Sequence, residues 1–213
     1  DSAMGGIVID SGRFPWFGNA KYPSLSEPCP DYNGLTFAET FGDMAFTLYS
    51  HAVSLRDLGC TQSPMNAWIT LNGVETLPLR MERHVENAQK VAGFLQQHPS
   101  VEWVSYAGLS SSPYYQLAQK YLQGKAGSVF TFGIRGGYES GLRLLEKVEL
   151  FSHVSNIGDS RSLILHPAST THRQLSDEQR LTAGAGPEVI RLSVGIESAE
   201  DLIADLEQAL EGL

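Results

Sequence analysis

A chain of 213 residues with 42% hydrophobic and 18% charged side chains has the balance of a soluble globular protein, long enough to bury a core as one or two domains. Its formal net charge of −9 argues against nucleic acid and against an anionic membrane surface as the main partner, though an anionic small molecule stays open to it. No apolar run reaches the length of a membrane span, no signal-peptide pattern opens the chain, and Cys29 and Cys60 are too few for a disulfide framework and match no metal spacing, so the compartment reads as a reducing cytoplasm with both thiols as packing residues.

In chain order, Ala3-Met4-Gly5-Gly6-Ile7-Val8-Ile9-Asp10 predicts an apolar strand with nothing before it, as though the chain continued something longer. A Pro-, Gly- and Ser-rich run then reaches Gly34, too rich in turn formers for regular structure, yet carrying Phe14, Trp16, Phe17, Tyr22 and Tyr32. Aromatics in a long loop point to a surface the loop lies against, such as a cleft or another subunit. Residues 37–58 predict a helix ended by Gly59, and 66–97 a second one interrupted at Pro78. Beyond the proline, Met81, Val85, Ala88, Ala92 and Leu95 form one apolar stripe, and His98-Pro99 stops it.

After that the chain alternates strands and helices: strand 101–106, helix 114–122, strand 128–134 with Phe130 and Phe132 on one face, and helix 138–153 with Leu142, Leu145 and Val148 inward. Strands at 162–165 and 189–194 follow. A last helix has Ser198 as N-cap, Asp201 three residues on in a capping-box pattern, and a stripe of Leu202, Ile203, Leu206, Ala209, Leu210 and Leu213. The organisation reads as residues 1–65, the end of one domain with its aromatic loop; 66–97, a connecting helix; and 98–213, a compact α/β C-terminal domain.

The chemistry is concentrated near the end. In Val189-Ile190-Arg191-Leu192-Ser193-Val194 a strand puts Ile190, Leu192 and Val194 on one face and Arg191 on the other with Val189 and Ser193. A guanidinium in so apolar a strand calls for an anionic partner or a route to solvent, because an unpaired buried charge is costly. Its planar fork suits a carboxylate or a phosphate; a structural salt bridge to one of the chain's own acidic residues satisfies the same need. Asn156-Ile157-Gly158-Asp159 has turn chemistry, so the Asn156 amide either faces a ligand or closes a helix C-terminus. His166 and His172, with Pro167 between them, are no helical metal pair and read as packing residues. Gly5-Gly6 and Gly136-Gly137 are turn signals, and no GxSxG elbow marks a nucleophile.

Four stretches together resemble the C-terminal half of the Cys/Met-metabolism family of pyridoxal-phosphate enzymes: Met4 to Gly12, Gly73-Val74-Glu75-Thr76-Leu77-Pro78-Leu79-Arg80-Met81-Glu82-Arg83-His84, His166-Pro167-Ala168-Ser169-Thr170-Thr171-His172, and Arg191-Leu192-Ser193-Val194-Gly195-Ile196-Glu197. Ser11-Gly12-Arg13-Phe14-Pro15-Trp16 with the insertion after it, and Asn156 in Ser155 to Asp159, look like the family's sulfhydrylase branch. The resemblance implies an aspartate aminotransferase-like α/β fold of fold type I, with the end of a large cofactor-binding domain followed by a complete small domain. It implies pyridoxal 5′-phosphate as cofactor, and γ-replacement on O-acetylhomoserine by sulfide to give homocysteine, a step of methionine biosynthesis. Arg191 matches the residue that binds the substrate α-carboxylate, and Asn156 the position that helps to hold it. The aromatic insertion matches the active-site entrance or subunit interface of a homotetramer. The family's Schiff-base lysine lies upstream of the Gly-Gly-Ile/Val strand; Lys21, Lys90, Lys120, Lys125 and Lys147 sit in no matching context, so no catalytic residue is assigned here, and a missing N-terminal half is expected as partner. A related cystathionine γ-synthase or methionine γ-lyase, or an assembly domain without catalysis, are the alternatives.

Overall fold

Glycine and proline keep the first part of the chain in short pieces, and period-two alternation builds a sheet in the second. The computed structural model describes residues 2–213, and these form two compact units, Asp1–Gly73 and Val74–Leu213.

In the first unit, α1 (Pro23–Ser26) starts on a proline, whose missing N–H has no partner to lose in a first turn. The continuous helix expected over 37–58 is instead a relay: α2 (Phe37–Phe41), a 3-10 turn Gly42–Met44, α3 (Ala45–Tyr49) and a π-helical stretch Ser50–Asp57. The break is set by Gly42, whose φ of 51° and ψ of −121° no residue with a Cβ adopts comfortably. Gly59, at φ 72°, closes the relay as expected. Residues 4–10 form no strand. Their apolar side chains are largely exposed, Ile7 and Ile9 at 84%, and among the described residues no neighbouring strand offers them a ladder. The aromatic loop, for its part, packs on its own unit: Trp16 stacks on Phe46 at 5.5 Å and meets Tyr22 edge-on, while Tyr32 and Tyr49 both meet Phe37 edge-on. These rings surround a small core of Leu25, Phe37, Ala38 and Ala45.

α4 (Pro64–Glu75) and α5 (Leu77–Gln97) replace the single interrupted helix. The break falls at Thr76, just ahead of Pro78, because a proline is tolerated in a helix's first turn but not inside it. Of the expected stripe, Ala88, Ala92 and Leu95 are buried, whereas Met81 stays 36% exposed. The buried face is rotated toward His84, Asn87 and Val91, two of them polar and so invisible to a count of apolar residues.

The second unit is a five-stranded mixed sheet in the order β1-β2-β5-β4-β3, with β1 Val101–Ser105, β2 Val129–Ile134, β3 Ser152–His153, β4 Leu163–Leu165 and β5 Val189–Ser193. All pairings are antiparallel except β3 with β4. In the central pair Phe130 faces Leu192 and Phe132 faces Ile190, so the apolar alternation of both strands lands on one side. There it shares a core with Leu95 of α5, Leu144 of α7 (Gly137–Lys147) and Leu202, Leu206 and Leu210 of α9 (Ala199–Leu210). α6 (Tyr115–Leu122) lies between β1 and β2 in the chain, as expected.

Three details depart from the sequence reading. α7 stops at Lys147, well short of 153, and buries Ser140, Gly141 and Leu144 while Leu142, Leu145 and Val148 are only half-buried. The short β3 was not expected. Neither was α8 (Asp177–Thr182), which a reciprocal capping box nucleates: Ser176 Oγ accepts from the Gln179 N–H, and the Gln179 side chain accepts from the Ser176 N–H. Ser198 caps α9 as its sequence suggested, accepting from the Asp201 N–H at 3.3 Å.

Candidate functional site: Arg191 and the Asn156 turn beside β5

The alternation of β5 sorts its side chains as the sequence requires. Ile190, Leu192 and Val194 are fully buried on the helix-covered side; Val189 and Ser193 are buried on the other, and Arg191 between them is half-buried. Register places Arg191 beside Thr131 of β2 and Leu165 of β4. Its Nη donates to the Asn156 backbone carbonyl at 3.3 Å, and among the described residues it forms no ion pair with a carboxylate. Among the described residues, then, no structural salt bridge accounts for it. One neutral acceptor leaves most of a five-donor fork unused.

The segment supplying that carbonyl is a turn, and not the end of a helix, since α7 has already ended and β3 intervenes. Asn156 Oδ1 accepts from the Ile157 N–H at 2.8 Å, and Gly158, at φ 76°, donates its N–H to Ser193 Oγ at 3.4 Å. Asp159 locks the other side, taking the Arg161 backbone N–H at 3.0 Å and its guanidinium at 3.2 and 3.3 Å. The Arg161 hydrogen bonds hold the Asp159 carboxyl down at about 2, so it is charged at any ordinary pH. The structure thus brings the two sequence-derived candidates together, with the Asn156 turn directly over Arg191.

Just past the end of β4, His166 is fully buried, with Nε2 2.9 Å from the Pro187 carbonyl, Nδ1 3.0 Å from Ser169 Oγ, and Tyr138 edge-on at 5.0 Å. The carbonyl fixes the proton on Nε2, and burial lowers the imidazole pKa, so the ring is a neutral tie between the end of β4 and the segment leading into β5. His172 Nδ1 meets only the neighbouring Thr171 hydroxyl, at 2.9 Å. No group of His, Cys, Asp and Glu among the described residues is arranged to hold a metal.

A set of buried polar residues escaped the sequence reading. His84 Nδ1 donates to the Val194 carbonyl at 2.6 Å; Asn87 Nδ2 donates to the carbonyls of Gly195 and Glu197 at 3.0 and 2.8 Å. Glu197 in turn accepts the N–H and hydroxyl of Ser162, and Ser162 Oγ accepts the Gly195 N–H at 2.7 Å. The sequence signal was a polar pair spaced i, i+3 within the apolar stripe of α5.

A pyridoxal cofactor is held through a lysine that must shed its proton, which requires burial or a nearby cation. None of the five lysines fits. All are exposed: Lys90 pairs with Glu86 and Glu200, Lys125 with Glu82, Lys147 donates to the Glu211 carbonyl, and Lys21 and Lys120 lie over Tyr22 and Tyr121. None of these side chains has the surroundings that a covalent anchor needs.

Comparison with known proteins gives this geometry its context. The family model described as "Cys/Met metabolism PLP-dependent enzyme" matches residues 1–211. The chain is 49% identical over 209 residues to O-acetyl-L-homoserine sulfhydrylase 1 of Thermus thermophilus, covering 98% of this chain and 49% of that protein. It is 44% identical over 211 residues to the homocysteine synthase of Schizosaccharomyces pombe, covering 99% and 49%. The crystal structure of a putative O-acetylhomoserine (thiol)-lyase from Campylobacter jejuni, containing N′-pyridoxyl-lysine-5′-monophosphate, superposes with a TM-score of 0.82 at 43% identity, over 92% of this chain and 47% of that one. The chain spans about half the length of the curated relatives it matches. Its mixed sheet and covering helices have the fold type I α/β architecture of those relatives, and the chain belongs to the Cys/Met-metabolism family of pyridoxal-phosphate-dependent enzymes.

Proposed function

We propose that this chain is the substrate-clamping part of a pyridoxal-phosphate-dependent sulfhydrylase that makes homocysteine from O-acetyl-L-homoserine and sulfide. Arg191 binds the α-carboxylate of the amino acid, and the Asn156 turn frames it. The observation that carries this reading is a half-buried guanidinium whose acceptor among the described residues is a single neutral carbonyl at 3.3 Å. A carboxylate supplies the missing charge and takes two parallel N–H bonds. Residues of this chain bind and orient the substrate, and orientation is a rate effect as well as an affinity effect. The bound cofactor supplies the electron sink for the chemistry.

In this reading the first unit belongs to the end of the large cofactor-binding domain, the second contains the small C-terminal domain, and the catalytic lysine lies outside these 213 residues. The assembly is a cytoplasmic homotetramer. The unpaired Cys29 and Cys60 are consistent with a reducing compartment, and the exposed apolar side chains of α4, Met65, Trp68 and Leu71, with subunit contacts. The test is an assay of the full-length gene product with O-acetyl-L-homoserine, O-succinyl-L-homoserine and cystathionine, each with sulfide where required. Homocysteine formed chiefly from the acetyl ester supports the reading. Preference for the succinyl ester or for cystathionine reassigns the protein to a neighbouring γ-synthase or γ-lyase activity.

A further inference from the structure

A helix face that only has to pack against a core has no use for a histidine and an asparagine at its centre. On α5, His84 and Asn87 are each 1% exposed, beside Ala88 and Val91, which are fully buried. All three of their donor bonds go to one short segment, the carbonyls of Val194, Gly195 and Glu197 that follow β5. Asn87 Oδ1 is buried and has no hydrogen-bond partner among the described residues. An unpaired buried acceptor is destabilising and offsets part of what the same amide contributes by satisfying two carbonyls. What the asparagine adds is a fixed position for the segment it holds.

That segment is where the two halves of the carboxylate grip are joined. Upstream of it, within the same strand, lies Arg191. On its other side, the Ile196 N–H donates to the Ser160 carbonyl at 2.9 Å, and the Glu197 carboxylate takes the Ser162 N–H and hydroxyl at 2.7 and 2.9 Å. Residues 160–162 continue directly from the Asn156 turn. Gly195 sits at the crossing with no room for a side chain: an added Cβ would meet the Ser160 carbonyl, Arg161 and the Glu197 carboxylate. The register between Arg191 and the Asn156 turn is therefore set at this crossing, and His84 and Asn87 bond α5 to it.

We propose that His84, Asn87 and Glu197 are positioning residues, which lock the crossing of residues 194–197 with 160–162 and so fix the spacing between Arg191 and the Asn156 turn around the substrate carboxylate. The proposal rests on the reading of Arg191 given above. It has a test in two arms. In the 213-residue chain, Asn87→Ala speeds amide exchange at Gly158, Gly195 and Ile196 by about tenfold or more, while Phe132 and Ile190 in the sheet centre stay protected. His84→Ala does the same, and His84→Asn, which keeps a donor near the Nδ1 position, restores slow exchange. In the full-length gene product, Asn87→Ala raises KM for O-acetyl-L-homoserine roughly tenfold and leaves KM for sulfide unchanged. Faster exchange throughout the unit with both KM values unchanged overturns the proposal, since it describes a side chain that merely stabilises. An Arg191→Ala variant with raised KM beside an Asn87→Ala variant with normal KM overturns the positioning role alone. Normal KM in Arg191→Ala overturns the carboxylate reading and this proposal with it.

Discussion

At the scale of single residues, what a side chain lacks is as informative as what it touches. Among the described residues Arg191 has no carboxylate partner, so on the reading proposed above Arg191→Ala in the full-length gene product is expected to leave the melting temperature nearly unchanged and to lower kcat/KM about a hundredfold or more, as loss of a charge-assisted two-point contact worth roughly 3 kcal/mol would. Arg191→Lys recovers only part, because an ammonium cannot reproduce the planar fork. A large loss of Tm with near-normal kinetics would instead mark a structural arginine. His166 makes the opposite kind of prediction. Burial depresses its pKa in the folded state, so the unfolded chain binds more protons than the folded one in the window between that depressed value and the ordinary value near 6.5. Stability is then full above pH of about 6.5 and falls on acidification through that window. His166→Gln, which keeps a donor for the Pro187 carbonyl, should flatten the Tm profile between about pH 7 and pH 5. An unchanged slope in the variant would place the titrating group elsewhere.

At the scale of elements, what the sequence disclosed and what it hid have a common explanation. Segments whose fate is settled by their own pattern were legible: β5 by its alternation, α9 by Ser198 and its leucine stripe, and the break near Pro78; that the Asn156 turn lies beside Arg191 followed only from the family resemblance. Segments settled by distant partners were not. α7 reads as helical to residue 153 because nothing local stops it; what ends it is Asp205 of α9, whose buried carboxylate accepts the N–H groups of Glu149, Leu150 and Phe151 at 2.8, 2.9 and 3.1 Å. The Met4 to Asp10 strand has the right residues and no ladder, and the clamp on α5 is polar where a search for apolar periodicity looks past it. Asp205→Ala should accordingly cost about 3 to 5 kcal/mol, since three backbone donors lose a charged acceptor at once. Asp205→Asn, which still offers one oxygen, should cost clearly less. Denaturant midpoints for the two variants decide the matter; equal and small shifts would show that the loop finds other acceptors.

At the scale of the whole molecule the two units carry different burdens. Val74–Leu213 encloses a continuous core around the sheet, while Asp1–Gly73 has a small aromatic core and leaves Met4, Ile7, Val8, Ile9, Met65, Trp68 and Leu71 exposed. So much exposed apolar surface is unusual for a monomer, and light scattering of the chain at micromolar concentration should report an oligomer; a monomeric mass counts against the subunit-contact reading. The distribution of charge carries the last expectation. Every lysine is exposed, and three of them have an oxygen acceptor nearby: Glu86 and Glu200 at Lys90, Glu82 at Lys125, the Glu211 carbonyl at Lys147. A dedicated anchor is a buried side chain held in one pose against the cofactor, and none of these exposed side chains is held so. Adding pyridoxal phosphate to the 213-residue chain, reducing with borohydride and mapping the adducts by mass spectrometry should therefore give scattered, substoichiometric labelling across several lysines. The full-length gene product treated in the same way should carry one pyridoxyl group per chain, on a lysine outside these residues. Stoichiometric labelling of Lys21, Lys90, Lys120, Lys125 or Lys147 in the 213-residue chain would place the anchor here after all, and would require that side chain to be buried or held beside a cation in the loaded protein.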